Sequence, residues 1–401
     1  MKDRKRIIFF IIVFAFNMAA SFAHPVTPTL IVERNLDSSM FGVALAAMMT
    51  MNFLFSPFWG QLCGYMPTRG VLMICGLGYA AGQVIFASAA TEAAVIGGRM
   101  FAGVFTGGAF TAMSNYVLNT SSADPSRSTG ENLIILTTLQ NVGSACGYFV
   151  GGMLGVISVL AAFGAQIAVL AGCGILFRLF CVDDTPYKEK PEEPLSLRRA
   201  NPFAAILSAG TFMTPMLAML FAIVAVSAIG QNSYEQCFNY YIKDQFGMSS
   251  AYNGIFKAVI AVLTILLNAT VAMYLQKKTD INRTFLYILA ACALLTGLAL
   301  VLPGKTAFIG IYIVYSSVMV LRLPLLQTLC ARRSDLHTSN RVMGFYQSMN
   351  SLGGIFGALF AGLIYNSGAM RPFILAFAAY VISMGIGLVY RNRQAVEEAG
   401  K

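Results

Sequence analysis

Apolar runs of eighteen or more residues recur along this chain, separated by short segments rich in Lys, Arg, Gly and Pro. Each run is long enough to cross a hydrocarbon core of about 30 Å as a helix. The runs do not alternate with a period of two, which excludes a membrane-spanning β-barrel. They predict an all-α membrane protein with twelve spans, at 7–31, 38–63, 70–90, 92–118, 130–153, 156–181, 211–238, 249–276, 283–302, 306–330, 341–366 and 370–390. The longest polar stretch, 182–200, carries DDTPYKEKPEEPLSLRR, and its prolines and charges mark a linker. Residues 201–210 read as a short amphipathic lead-in. The chain therefore divides into a six-helix bundle at 1–181, a linker and lead-in at 182–210, and a second six-helix bundle at 211–401.

Composition agrees with this reading. Hydrophobic residues make up 57% of the chain and charged residues 11%, where soluble domains carry about a quarter. The N-terminal MKDRKR followed by an apolar stretch imitates a secretory signal. That stretch continues through Pro25 and Pro28 to Val32, so it reads as a first span.

The net charge of +10 is a matter of topology rather than of nucleic acid. Arg34, Lys243, Lys305 and Arg371 fall in outer loops, and Arg99, Lys257 and Arg322 within spans. All the other basic residues lie in segments that face the cytoplasm when the N-terminus does. This bias predicts a multi-pass protein of the cell membrane with both termini cytoplasmic. The eight cysteines form no CxxC pair, and His24 and His337 are the only histidines. The chain offers no metal site and implies no cofactor. It has no GxxxxGK[ST], so ATP is not the expected energy source. No paired carboxylates or activated nucleophile point to an enzyme.

Span five carries Gly143, Gly147, Gly151 and Gly155 at four-residue intervals, which places all four on one helix face. In water each interior glycine costs about 1 kcal/mol relative to alanine. In lipid such a stripe lets a second helix approach closely and pack by dispersion. The same region repeats: displaced by 207 residues, Gln140 falls on Gln347, Ser144 on Ser351, Gly147 on Gly354 and Gly155 on Gly362. Ser38-Ser39 with Gly42 echoes Ser249-Ser250 with Gly254. A repeat of six helices points to two pseudo-symmetric bundles that rock against each other.

Three segments give the chain a resemblance to the major facilitator superfamily. Arg99-Met-Phe-Ala-Gly103-Val-Phe-Thr-Gly107 is similar to the family's fourth-helix motif, with Ala102 where glutamine is usual. Gly143-x3-Gly147-Tyr148-x2-Gly151-Gly152 resembles the antiporter motif of the drug:proton antiporter branch, with Tyr148 in place of proline and Ile134 in place of an upstream glycine. Gly60-Gln-Leu62-Cys-Gly64-Tyr65-Met-Pro67-Thr-Arg69 falls where the family's conformational-lock motif belongs, but Gly64 stands at the aspartate position. The resemblance implies the major facilitator fold. It also implies a charge-carrying role for Arg99, a moving seam along Gly103, Gly107 and the span-five glycines, and a cavity lined by span seven.

Ionisable side chains inside a membrane are costly and are functional candidates by default. Arg99 is either a switch charge or a structural cation. Glu235 ends a polar cluster with Gln231, Asn232, Ser233 and Tyr234. It is either a coupling carboxylate or a solvated helix end. Lys257 either pairs with Glu235 or snorkels outward. Arg322, before Leu323-Pro324, either binds an anionic group bidentately or reaches the cytoplasmic surface. Span one offers Asn17, His24, Pro25, Thr27 and Pro28, with paired prolines that bend the helix. Gln140 adds a polar point to a Phe-, Met- and Tyr-rich lining.

Together these residues predict a monomeric secondary active exporter of amphipathic organic compounds, coupled to protons. The alternative is an importer or facilitator of small organic anions or metabolites, since Arg99, Lys257 and Arg322 outnumber Glu235.

Overall fold

The first span is not one helix but two, α1 (Lys2–Ala20) and α2 (Ala23–Glu33), in a computed structural model of the chain. The residues described are 2–36, 40–121, 128–188, 201–248, 251–302, 304–335, 337–365 and 367–399. The break falls at 21–22, one turn before the prolines, for a simple reason. Pro25 has no N–H to return to the Ser21 carbonyl. That carbonyl accepts from the His24 amide instead, at 3.3 Å, and Phe22 reaches back only to Ala19, at 3.0 Å. Three-residue hydrogen bonds replace four-residue ones, and the axis bends.

The remaining helices of the first half are α3 (Met40–Tyr65), α4 (Thr68–Ser88), α5 (Glu92–Ser121), α6 (Thr129–Ile157) and α7 (Val159–Phe180). Helix α6 opens on a capping box: the Glu131 amide donates to the Ser128 hydroxyl while the Ser128 amide donates to the Glu131 carboxylate. The short helix α8 (Pro202–Leu207) supplies the lead-in.

In the second half, α9 (Pro215–Asp244) starts with proline in its first turn and the Thr214 hydroxyl accepting from the Leu217 amide. Span eight is α10 (Ala251–Leu267) and α11 (Met273–Lys278), joined by a π-helical turn at Asn268–Ala272. After α12 (Ile281–Val301), span ten divides into α13 (Lys305–Met319) and α14 (Arg322–Arg332). Here again a proline lacks a donor, since Pro324 cannot bond back to the Val320 carbonyl. The last helices are α15 (Ser339–Tyr365) and α16 (Arg371–Ala399).

Several helices outrun their apolar stretches: α9 continues six residues past the predicted 238, and α16 nine past 390. The extra turns of α16, RNRQAVEEA, are mostly Arg, Gln, Ala and Glu, good helix formers that need no lipid to stay helical. Among the described residues eleven helices are long and apolar enough to span a membrane, and span eight is represented by the shorter apolar Val259–Leu275.

The helices gather into two compact units. The first, Met1–Phe212, also takes in Ser334–Ser348, the loop before α15 and the first turns of that helix. In it α3 packs on α5, α4 on α5 and α7, and α1 on α6. Its core holds Phe9, Phe16, Trp59, Tyr79 and Phe177. The second, Met213–Arg333 with Met349–Lys401, packs α9 and α12 on α16.

Candidate functional site

Glycine sets how closely the helices of each unit approach. The stripe on α6 faces the bent first span: a Cβ at Gly143 would lie 2.7 Å from the Phe14 carbonyl, Gly147 abuts the Met18 carbonyl and Gly151 that of Phe22. Gly152, one residue off the stripe, faces open space. On α5, Gly103 meets the Met48 carbonyl of α3. The Gly107 amide donates to the Asn52 side chain at 3.0 Å. The second unit repeats the α6 arrangement with Gly353 against the Ala225 carbonyl and Gly357 against that of Ile229. These glycines lie 206 residues beyond Gly147 and Gly151. The contacting stripe is thus one residue out of the register that identity of residue type suggests.

Within the first unit the bend of the first span brings His24 and Thr27 to Arg99. Arg99 is buried, 5% exposed. Its guanidinium donates to the Thr27 hydroxyl at 3.1 Å, approaches the Met48 sulfur at 3.8 Å and lies 3.9 Å from the centre of the Phe86 ring. A ring face and a polarisable sulfur attract a cation without neutralising it. His24 stacks on Tyr148, centroids 5.2 Å apart and planes 11° from parallel. The tyrosine that stands where the antiporter motif carries proline thus covers the histidine. Asn17 and Gln140 converge on the Met113 sulfur, at 4.0 and 3.7 Å.

In the second unit Ser227, Gln231 and Glu235 fall at four-residue intervals on one face of α9. Arg322, 1% exposed, donates to the Ser227 hydroxyl and, at 2.5 Å, to the Gln231 carbonyl oxygen. Glu235 is the next residue on that face. Elsewhere in this unit the Tyr315 and Tyr380 hydroxyls are 2.7 Å apart. Among the described residues neither Arg99 nor Arg322 has a carboxylate within the ion-pair distance of 4.0 Å.

Other candidates have quieter positions. Tyr234 is wholly buried among Tyr312, Tyr315 and Phe373. Asn232 donates to its own helix, at the Ala228 carbonyl. Lys257 lies on α10, but its side chain, and hence any pairing with Glu235, is outside the described residues.

The lock-motif loop, which lacks its own carboxylate, receives two from the start of the linker. Asp184 accepts from both the amide and the hydroxyl of Thr68, capping α4 from outside, and from the Asn119 side chain at 2.7 Å. Lys188 sits 3.7 Å from Asp184 and donates to the Cys63 and Met66 carbonyls. Asp183 pairs with Arg69 at 2.8 Å. Thr185, whose amide donates to the carboxylate at 3.0 Å, together with Arg69 holds the Asp183 carboxyl below the usual carboxylate range. Sequence reasoning passed over both aspartates as linker charge. The visible signal was an acidic pair directly after a span, in a chain whose loop 2–3 had lost its acid.

Sequence comparison matches residues 9–358 to the Major Facilitator Superfamily. The chain is similar to the class C tetracycline resistance protein of Escherichia coli, 28% identical over 369 residues that cover 90% of both chains. It is also similar to multidrug resistance protein 2 of Bacillus subtilis (strain 168), 22% identical over 382 residues, 92% of this chain and 91% of the other. Among solved structures the human organic anion transporter MFSD10 superposes with a TM-score of 0.77 at 16% identity, over 96% of this chain and 99% of that one. That last likeness is one of fold.

Proposed function

The chain belongs to the major facilitator superfamily, and from that premise we propose that it is a proton-coupled exporter of amphipathic organic compounds working by alternating access. The protein is a multi-pass membrane transporter and not an enzyme. Export as its direction is supported by the tetracycline and multidrug resistance proteins among its relatives. The cytoplasmic placing of both termini in the cell membrane rests on the distribution of basic residues.

One observation carries the coupling. Among the described helices, Glu235 is the acid that lies more than two turns from both ends of its helix. Glu33, Glu92, Glu131 and Asp244 all sit in a first or last turn. A carrier's proton site must be ionised in one state and neutral in another, which favours an acid in the interior of a span; Glu131, though buried, is occupied as a helix cap by the Ser128 amide. Glu235 also shares its helix face with the two residues that hold Arg322.

The test is uptake into inverted vesicles from a panel of labelled compounds, with and without an imposed pH gradient. Accumulation should require the gradient in the parent protein. In Glu235→Gln gradient-driven accumulation should be lost while exchange of substrate down its own gradient persists. Gradient-driven transport that survives in Glu235→Gln would overturn the assignment.

A second reading, transport of small organic anions, is favoured by the two buried arginines that lack a carboxylate. Each leaves a positive charge for a substrate anion to neutralise. Anionic compounds in the same panel decide between the two: preference for them over cationic amphipaths of similar size supports the second reading.

A further inference from the structure

The second unit has a cavity that the transport reading does not use. It lies where α12 begins, α14 ends and the last turns of α16 pass, and its volume is about 270 Å³. Asn282, Arg332, Arg333, Tyr390, Gln394 and Glu397 supply its polar wall. Tyr390, Gln394 and Glu397 fall three or four residues apart, on one face of α16.

The charges of this wall do not cancel. Arg333 is paired with Glu397 at 2.9 Å, and its guanidinium lies 5.7 Å from the centre of the buried Tyr390 ring. Arg332 forms no hydrogen bond or ion pair among the described residues. One guanidinium is thus spent on the single acid, and the other faces the cavity's mouth uncompensated. The Gln394 amide and the Tyr390 phenol are hydrogen-bond donors as well as acceptors, and the Asn282 amide, which gives one proton to Asp280 at 3.2 Å, keeps a second. A planar five-donor fork beside further donors, in a space large enough for several waters, matches a tetrahedral oxyanion. The same end of the unit carries exposed Arg391 and Arg393, which raise the local positive potential.

We infer that this cavity binds a phosphate group, held bidentately by Arg332 with Arg333 and the amides of Asn282 and Gln394 around it. Two sources have this chemistry, the headgroup of an anionic phospholipid and a free phosphate in solution. Helix ends lie at the height of lipid headgroups, where basic pockets between spans take up anionic lipid.

The test uses the full-length protein, purified and stripped of lipid in detergent. Phosphatidylglycerol, phosphatidylcholine and inorganic phosphate are titrated separately at fixed ionic strength, with occupancy read by native mass spectrometry and thermal stabilisation. Arg332→Gln should weaken binding about tenfold, the loss of one bidentate charge-assisted contact. Arg393→Gln removes the same charge outside the cavity and should change it less than twofold. Asn282→Leu, which narrows the cavity without touching its charge, should weaken binding as well. Phosphatidylglycerol binding that depends on Arg332 identifies a lipid site; phosphate binding with the same dependence and no lipid preference identifies a soluble ligand. Equal effects of Arg332→Gln and Arg393→Gln, or equal retention of phosphatidylglycerol and phosphatidylcholine with no binding of phosphate, would overturn the site.

Discussion

The two buried arginines occupy opposite surroundings. Arg99 in the first unit rests on a phenylalanine ring and a methionine sulfur, with one hydroxyl as acceptor. Arg322 in the second unit is wired to two oxygens on the helix that also carries Glu235. The units also differ in where their spans are interrupted and in what ties them. The first breaks in span one, before Pro25, and is tied at α4 by Asp184. The second has a π turn in span eight and a proline-loosened break in span ten, immediately before Arg322. The two charges are thus held in different ways: Arg99 by a ring face, a sulfur and one hydroxyl, Arg322 by two hydrogen bonds to α9.

The most drastic way to break this comparison is to force α6 of the first unit away from the first span. Gly147→Leu with Gly151→Leu drives side chains into the backbone of the first span, where overpacking costs about 1–3 kcal/mol per site. Transport in vesicles should vanish and thermal stability in detergent should fall. Gly152→Leu, facing open space, should leave both near the parent level. Equal behaviour of the two variants would show that the stripe is not the seam.

Next in size is the tie at α4. Asp184→Ala leaves Lys188 buried beside carbonyls alone and uncaps α4, and removing one partner of a buried pair costs about 3–5 kcal/mol. The expected result is a large drop in the midpoint of thermal unfolding, with protease cleavage appearing in the linker. An unchanged midpoint would remove Asp184 from the account.

The arginines themselves sharpen the comparison. Arg99→Lys keeps a cation against Phe86 and should retain part of the activity, whereas Arg99→Gln should lose most of it at normal expression. Arg322→Lys forfeits the fork that reaches Ser227 and Gln231 together, so it should resemble Arg322→Gln, losing about 1–2 kcal/mol of interhelical hydrogen bonding. Transport assays on the four variants check this, and the same Lys-for-Arg tolerance at both sites would erase the distinction.

The smallest effect belongs to Asp183, partly exposed and paired with Arg69. Its carboxyl lies below the ordinary value of 3.8 in the folded chain. Its contribution is therefore present at neutral pH and is lost as the pH falls below that value through the depressed one. Asp183→Asn should cost about 0.2–1 kcal/mol at pH 7. The difference from the parent in thermal unfolding should disappear in strong acid.

Much of this protein was legible without coordinates. Long apolar runs specify spanning helices because an unsatisfied backbone in lipid costs too much for any alternative. Four-residue spacing placed Gly143 to Gly155 on one face, and the ionisable residues within spans stood out by cost alone. What the sequence determined was local: which segments are helical, which faces are smooth and where charge is embedded. The tertiary structure decided what each face meets. That His24 is covered by Tyr148, that Asp184 restores a carboxylate missing more than a hundred residues earlier, and that Arg322 finds Ser227 and Gln231 all depend on contacts between helices distant in sequence. Helical periodicity sets the direction of a side chain about its own axis. The neighbour it reaches is set by how the axes pack, and packing is a property of all the helices at once.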